Sequence, residues 1–253
     1  MMETVIIETQ KVKMKNPILI EGLPGIGLVG KIAADHLIDE LGAKEVAQLF
    51  SPHFPHQVIM QKNGVMRMVK NRFYHVSGKK NDLLILVGDV QAVTSEAQYE
   101  VTGKILDYCQ KKKVKLIITL GGYGTGKVPV SPKVFGIVTN KPMVEQYKKY
   151  GIVFGESRGS IIGAAGMLLG LGKIRKMPGI CLMGETHGGF VDPKSAQAVL
   201  EVLCKMLDIK VDSRKLDEKA RESEAFARKM EKEALAAKGM PLEHSKTDLS
   251  YIR

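Results

Sequence analysis

Two stretches constrain the fold more than anything else in this chain: DLLILVGD at residues 82–89 and VKLIITLGG at 114–122. Each is almost continuously apolar over the length of a strand. A strand with one face in water alternates polar and apolar residues, whereas a strand covered on both faces does not. The segment between them opens on Thr94-Ser95-Glu96, good capping residues. It closes on Lys111–Lys113, cations that suit the negative end of a helix dipole. Strand, crossover helix, strand is the unit of a parallel sheet.

The same reading extends along the chain. PILIEG (17–22) is another apolar strand, followed by a helix whose apolar residues Leu28, Ile32, Leu37, Ile38 and Leu41 fall close to helical spacing. TVIIETQ (4–10), EVAQLF (45–50), VFGIVTN (134–140) and PGICLMG (178–184) supply further strands. SIIGAAGMLLGLG (160–172) and Ser195–Leu207 supply helices. Asn63-Gly64 is a hairpin turn signal that pairs QVIM with the run 65–76 in antiparallel fashion. The expected class is α/β: a mainly parallel central sheet flanked by helices, an antiparallel hairpin, and a charged C-terminal helix.

Composition shifts after Val211. Residues 1–210 read as the α/β core domain, 211–239 as a helical extension and 240–253 as a flexible tail. In the extension, Leu216, Ala220, Ser223, Ala227, Met230, Ala234 and Ala237 recur at alternating four- and three-residue steps. That is a heptad seam of mostly small residues, suited to close helix–helix approach. Leu216, Ala220, Ala227, Met230 and Ala234 are therefore the expected oligomerisation residues. Gly239 and Pro241 stop the helix.

Lys and Arg outnumber Asp and Glu by 38 to 27, a net charge of +11. Such an excess attracts nucleic acid or an acidic protein. A solvated lysine-rich surface is the plainer reading, because aromatic platforms on basic strands and a groove-reading helix are both missing from the pattern. The three cysteines, Cys109, Cys181 and Cys204, are far apart and form no C-x-x-C pair. They read as reduced thiols. No apolar stretch approaches the roughly 18 residues that span a membrane. The expected location is the cytoplasm.

Gly25, Gly27 and Gly30 form G-x-G-x-x-G after a strand, the spacing that cradles a dinucleotide pyrophosphate. That fold also needs an acid at the end of its second strand, about twenty residues on, to hold a ribose hydroxyl. EVAQLF ends instead in Ser51-Pro52-His53, and Glu45 lies at the wrong end of the strand. GGYGTGK (121–127) resembles a phosphate loop, but Val128 stands where a magnesium-binding hydroxyl belongs and Pro129 follows. Both motifs read as structural turns, and no cofactor is expected.

Other candidates remain. His53 and His56 in SPHFPH could chelate a metal, although no third ligand is evident and a surface loop explains them. Asp89, Glu185 and His187 sit at strand ends, where open α/β sheets bind ligands, and define an alternative phosphorylase-like or ATP-dependent enzyme site. Ser157-Arg158-Gly159-Ser160 at a helix start could hold an anion, or simply cap.

Taken together, ILIEGLPGIGLVGKIAADHLIDELGAKEVAQLFSPHFPHQV, LLILVGDVQ, LIITLGGYGTGK and the 156–166 segment resemble the proteasome assembly chaperone 2 family in an archaeal form. The resemblance runs through about residues 4–210. It implies a fold akin to purine nucleoside phosphorylases used as a non-enzymatic protein-binding scaffold. It also implies self-association and partners among proteasome α-subunits. Proteins that dock on α-rings often end in a hydrophobic residue, tyrosine and any residue. This sequence closes on Leu249-Ser250-Tyr251-Ile252-Arg253, with tyrosine displaced by one position. Leu249, Tyr251, Ile252 and Arg253 are the expected partner-binding residues of the tail.

Overall fold

The computed structural model describes residues 3–155, 159–214 and 216. Its core is an eight-stranded sheet built from β1 (Val5–Glu8), β2 (Ile18–Gly22), β3 (Lys44–Phe50), β6 (Asn71–Val76), β7 (Leu83–Gly88), β8 (Leu116–Gly124), β9 (Val134–Val138) and β10 (Gly179–Thr186). A separate ribbon comprises β4 (Val58–Met60) and β5 (Met66–Met68). The spatial order of the main sheet is β1-β3-β6-β7-β2-β8-β10-β9.

The four central strands β7, β2, β8 and β10 run parallel, in the register Ile20 beside Ile85 and Ile118, and Ile180 beside Ile118. These are the uninterrupted apolar runs of the sequence, and each is buried on both faces. The flanks are antiparallel: β9 against β10 on one side, β6, β3 and β1 beyond β7 on the other. The α/β class and the Asn63-Gly64 hairpin both hold. The hairpin pairs only 58–60 with 66–68, and the chain then enters the main sheet as β6.

Helices α2 (Ser95–Lys111) and α4 (Ala164–Ile174) cover one face; α1 (Val29–Glu40) and α5 (Pro193–Leu207) cover the other. A short α3 (Pro142–Lys148) follows β9. On the first face Leu19, Leu84, Leu86 and Ile117 meet Ile105, Leu106 and Leu168. On the second, Ile20, Ile85, Ile118 and Leu182 meet Leu37, Val199 and Leu203. At about 25 cal/mol per Å² of apolar surface removed from water, these two layers are the main favourable term in folding.

The helix starts follow their sequence signals. Thr94 accepts a hydrogen bond from the Ala97 N–H through its hydroxyl at 3.2 Å, and Asp192 caps α5 by accepting from Ser195 N–H at 2.9 Å. The helix expected from Ser160 starts only at Ala164. Gly163 takes φ +89°, which ends any helical path before it.

Candidate functional site

The glycine turn after β2 is used for packing. A methyl group built on Gly30 would lie 2.2 Å from the Leu120 carbonyl oxygen, and one on Gly22 would lie 2.4 Å from the Ala34 Cβ. Helix α1 therefore rests directly on the strand backbones, as the last glycine of such a turn permits. The Gly27 carbonyl accepts from the Asp192 N–H at 2.9 Å, and Thr186 Oγ1 donates to Asp192 Oδ2 at 2.6 Å. These bonds tie the turn to the start of α5. The second glycine motif is half strand, since β8 runs through Gly124. Its next residues stay alongside the end of β10, Thr125 N–H donating to the Thr186 carbonyl at 2.9 Å and Gly126 N–H to the His187 carbonyl at 3.3 Å, and no helix follows before β9.

The strand ends do not gather Asp89, Glu185 and His187 into one constellation. Asp89 follows β7 while Glu185 lies on β10, with β2 and β8 between them, about 14 Å at the usual strand spacing. Asp89 is bound by both terminal nitrogens of Arg67, at 2.5 and 3.0 Å, and by the Lys70 N–H at 3.0 Å. Burial alone would raise its pKa, but these donors hold it below the ordinary carboxylate value. Glu185 accepts from the Lys133 N–H at 3.3 Å. His187 stacks on Phe190 at 4.9 Å and accepts from Gly189 N–H through Nδ1. Each group is engaged locally.

His53 pairs with Glu100, not with His56. Among the described residues there is no cluster of three or more His, Cys, Asp or Glu placed to hold a metal. A cavity of about 360 Å³ opens between α4 and the β9–β10 edge, lined by Tyr123, Ile137, Leu169 and Met183 with Lys173 as its charged group. Burial pushes the Cys109 and Cys181 thiols up to about 12 and Cys204 to about 11, and all three are unbridged. Thiolate chemistry at neutral pH is therefore suppressed at each.

Two features lay beyond sequence reasoning. The first is Glu21, fully buried on β2 in register with Thr119, which is itself in register with Cys181. One Glu21 oxygen accepts from Leu23 N–H at 2.9 Å, and the other has no partner among the described residues. Burial pushes its carboxyl up to about 8 against that one bond. A lone acid inside PILIEG was the available signal. The second is Gln91. Its Nε2 donates to the Pro24 carbonyl at 2.7 Å while its Oε1 accepts from Ala164 N–H at 2.9 Å, joining the glycine turn to the start of α4.

The rim at the carboxyl ends of the parallel strands carries the exposed apolar surface. Strand β3 runs in the same direction as β7, so the β4–β5 ribbon between β3 and β6 stands at this rim. Cross-strand pairs Val58–Met68 and Met60–Met66 put four side chains on one ribbon face, and they are 49 to 88% exposed. Ile26 follows β2, Val93 follows β7, Val128 and Val130 follow β8, and Val191 follows β10. Ile162 precedes α4 at the same end. Among the described residues, the remaining exposed large apolar side chains are Val65 in the ribbon turn, Tyr99 early in α2, and Ile7, Ile137 and Ile174 elsewhere.

The tail residues Leu249, Tyr251, Ile252 and Arg253, the seam residues Ala220, Ala227, Met230 and Ala234, and Ser157 and Arg158 lie outside the described residues. Leu216 is described: it is buried against the α1–α5 face of its own chain.

Fold and site together define an α/β scaffold with an apolar strand-end rim, the end at which open sheets present their functional loops. The chain belongs to the PAC2 family, whose profile matches residues 19–231. It is similar to Pyrococcus furiosus PbaB, described as an archaeal proteasome activator: 44% identity, 91% of this chain and 100% of that one, TM-score 0.87. It is also similar to Pyrococcus furiosus PbaA, an archaeal homolog of proteasome-assembly chaperone, at 30% identity, 93% and 94% coverage, and TM-score 0.76. A Methanocaldococcus jannaschii relative, the uncharacterized protein MJ1210, is 38% identical over the whole of both chains. The expected family and fold are thus established. Among the described residues no helix is long and apolar enough to cross a membrane.

Proposed function

We propose that this protein is a non-enzymatic assembly scaffold of the cytoplasm that self-associates and binds proteasome α-subunits. The observation that supports this reading is the apolar rim. A monomer rarely leaves a contiguous apolar patch of more than a few hundred Å² in water, and larger ones mark interaction sites. Here such side chains come from six successive loops that share one end of the sheet. The described names of PbaB and PbaA, proteasome activator and assembly-chaperone homolog, point to the class of partner. The acids and imidazole at the same rim are spent on local pairs, which argues against a reaction centre there.

The scaffold reading places self-association on the folded core, extended by the 211–239 segment, and partner contact on the 240–253 tail. Co-purification of the full chain from native extract, with mass identification of what it retains, tests it. Recovery of α-subunits is the expected result. A protein that is monomeric in light scattering and retains no proteasome subunit would refute the proposal.

A further inference from the structure

The end of the sheet opposite the rim carries the opposite chemistry. Four loops feed the amino ends of the parallel strands, and backbone bonds hold them side by side. Asp82 N–H donates to the Lys15 carbonyl, Lys115 N–H to the Pro17 carbonyl, and Ile117 N–H to the Pro178 carbonyl, at 2.8 to 3.0 Å. Each loop brings exposed lysines. Lys11, Lys13 and Lys15 precede β2, and Lys79 and Lys80 precede β7. Lys113 and Lys115 precede β8, while Lys173 and Lys176 precede β10.

None of these nine side chains forms an ion pair among the described residues. Three carboxylates on the sheet and on the α2–α4 side of this end are already committed. Glu8 takes Lys111 and Lys112, Asp107 takes Arg175, and Asp82 is buried against His75. Asp39, Glu40 and Asp208 close α1 and α5, the two helices of the other face. Four adjacent strands span only about 14 Å, so the lysines form one cationic pole.

The chain also leaves the core at this end. The Asp212 carbonyl accepts from His36 Nε2 at 2.6 Å, Asp212 N–H donates to Glu40 Oε2 at 3.4 Å, and Leu216 is buried nearby. From these observations we infer that the lysine pole is an electrostatic docking face for an acidic protein surface, at the same end of the sheet as the origin of the C-terminal extension. The inference rests on the scaffold reading, because it supplies that scaffold with the charge of its partner.

Nucleic acid is the competing polyanion, and the geometry favours protein. The lysines lie on four separate loops and, for Lys173, in the last turn of α4, not along one helix or ribbon that could enter a groove, and no exposed aromatic ring stands among them to stack a base. Lysine heads with almost no apolar anchor, Ile174 excepted, suit steering and orientation more than tight burial.

Labelled poly-glutamate and a short duplex DNA of matched charge are the probes, each titrated with the full chain across a range of ionic strength. The expected result is that poly-glutamate binds more tightly than the duplex and weakens as salt rises. The quadruple exchange Lys79→Glu, Lys80→Glu, Lys113→Glu, Lys115→Glu should lower that binding by about tenfold or more. Its thermal unfolding should be unchanged, because the four side chains are exposed and unpaired. The rim exchange Lys62→Glu with Lys127→Glu should leave binding intact. Tighter binding of the duplex, or equal loss in the rim variant, would overturn the inference. Retained poly-glutamate binding in a protein that captures no α-subunit would uphold the docking face and refute the proteasome reading alone.

Discussion

Arg67 on β5 holds Asp89, at the end of β7, through two parallel hydrogen bonds. The pair anchors the β4–β5 ribbon to the central sheet and leaves the Val58, Met60, Met66 and Met68 face turned to solvent. An acid at a strand end, which the sequence offers as a catalytic candidate, here fixes a ribbon with an exposed apolar face.

Removing the anchor should loosen the ribbon before the core. A two-stranded ribbon is marginal alone, and a charge-assisted bidentate pair is among the stronger hydrogen bonds. Arg67→Ala should cost about 1–2 kcal/mol in denaturant unfolding. Amide exchange should rise first across residues 58–68 and leave β2 and β8 protected. Uniform loss of protection would show that the pair acts on the whole sheet.

Met60→Glu with Met66→Glu should leave stability within about 0.5 kcal/mol, as expected for exposed positions. It should reduce self-association in light scattering. An unaltered assembly would remove the ribbon face from the interface and leave the rest of the rim as its site.

The glycine turn separates packing from ligand binding by two substitutions. Gly30→Ala drives a methyl group into the Leu120 carbonyl and should cost about 3 kcal/mol. Gly25→Ala meets nothing nearer than 4.0 Å and should be tolerated. If Gly25→Ala impaired partner capture without unfolding, that exposed turn would be part of the binding surface.

Glu21 should make stability depend on pH. Its ordinary pKa is 4.5 and burial pushes it up to about 8, so between these values the folded chain keeps a proton that the unfolded chain releases. The contribution is therefore complete below about pH 4.5 and declines as pH rises toward 8, by at most about 1.4 kcal/mol per pH unit. Glu21→Gln should flatten that decline and exceed the parent in stability at about pH 8. Parallel pH profiles for the two proteins would show that Glu21 is ionised in the folded state.

Deleting residues 249–253 should weaken capture of a proteasome α-ring and leave the fold and assembly unchanged. Tyr251→Ala should reproduce part of that loss. Repetition of a weak contact around an oligomer amplifies it through effective concentration, so the deficit should be larger in the assembled protein than in a monomeric variant. Equal capture by full and shortened chains would assign binding to the folded core.

The strands were legible because burial on two faces leaves a compositional mark: β2 and β7 lie within the apolar runs that announce them, and β8 and β10 start within theirs and run two residues further. Helix α3 was less visible, being short, although Pro142 at its first turn is a start signal. Helical spacing carries α4 back to Ser160 but says nothing of a backbone angle, and the left-handed φ of Gly163 delays its start to Ala164. Site residues were harder. Asp89 and Glu185 were recognised as strand-end acids, but which partner each meets depends on the order β7-β2-β8-β10 and on the ribbon folding back. The lysines were visible singly; their convergence is a property of four parallel strands beginning at one level.

Parallel strands thus give this molecule a head and a tail that differ in solvent preference. In a ring or cluster joined by its apolar rims, the ribbons would be drawn inward and away from water, much as chains gather inside a micelle. The amino ends of the strands would then form the outer shell, and every added subunit would thicken a positive corona around a dry centre. Such a particle repels its own kind while remaining adhesive to acidic surfaces, so growth would stop at a closed assembly instead of continuing into aggregates.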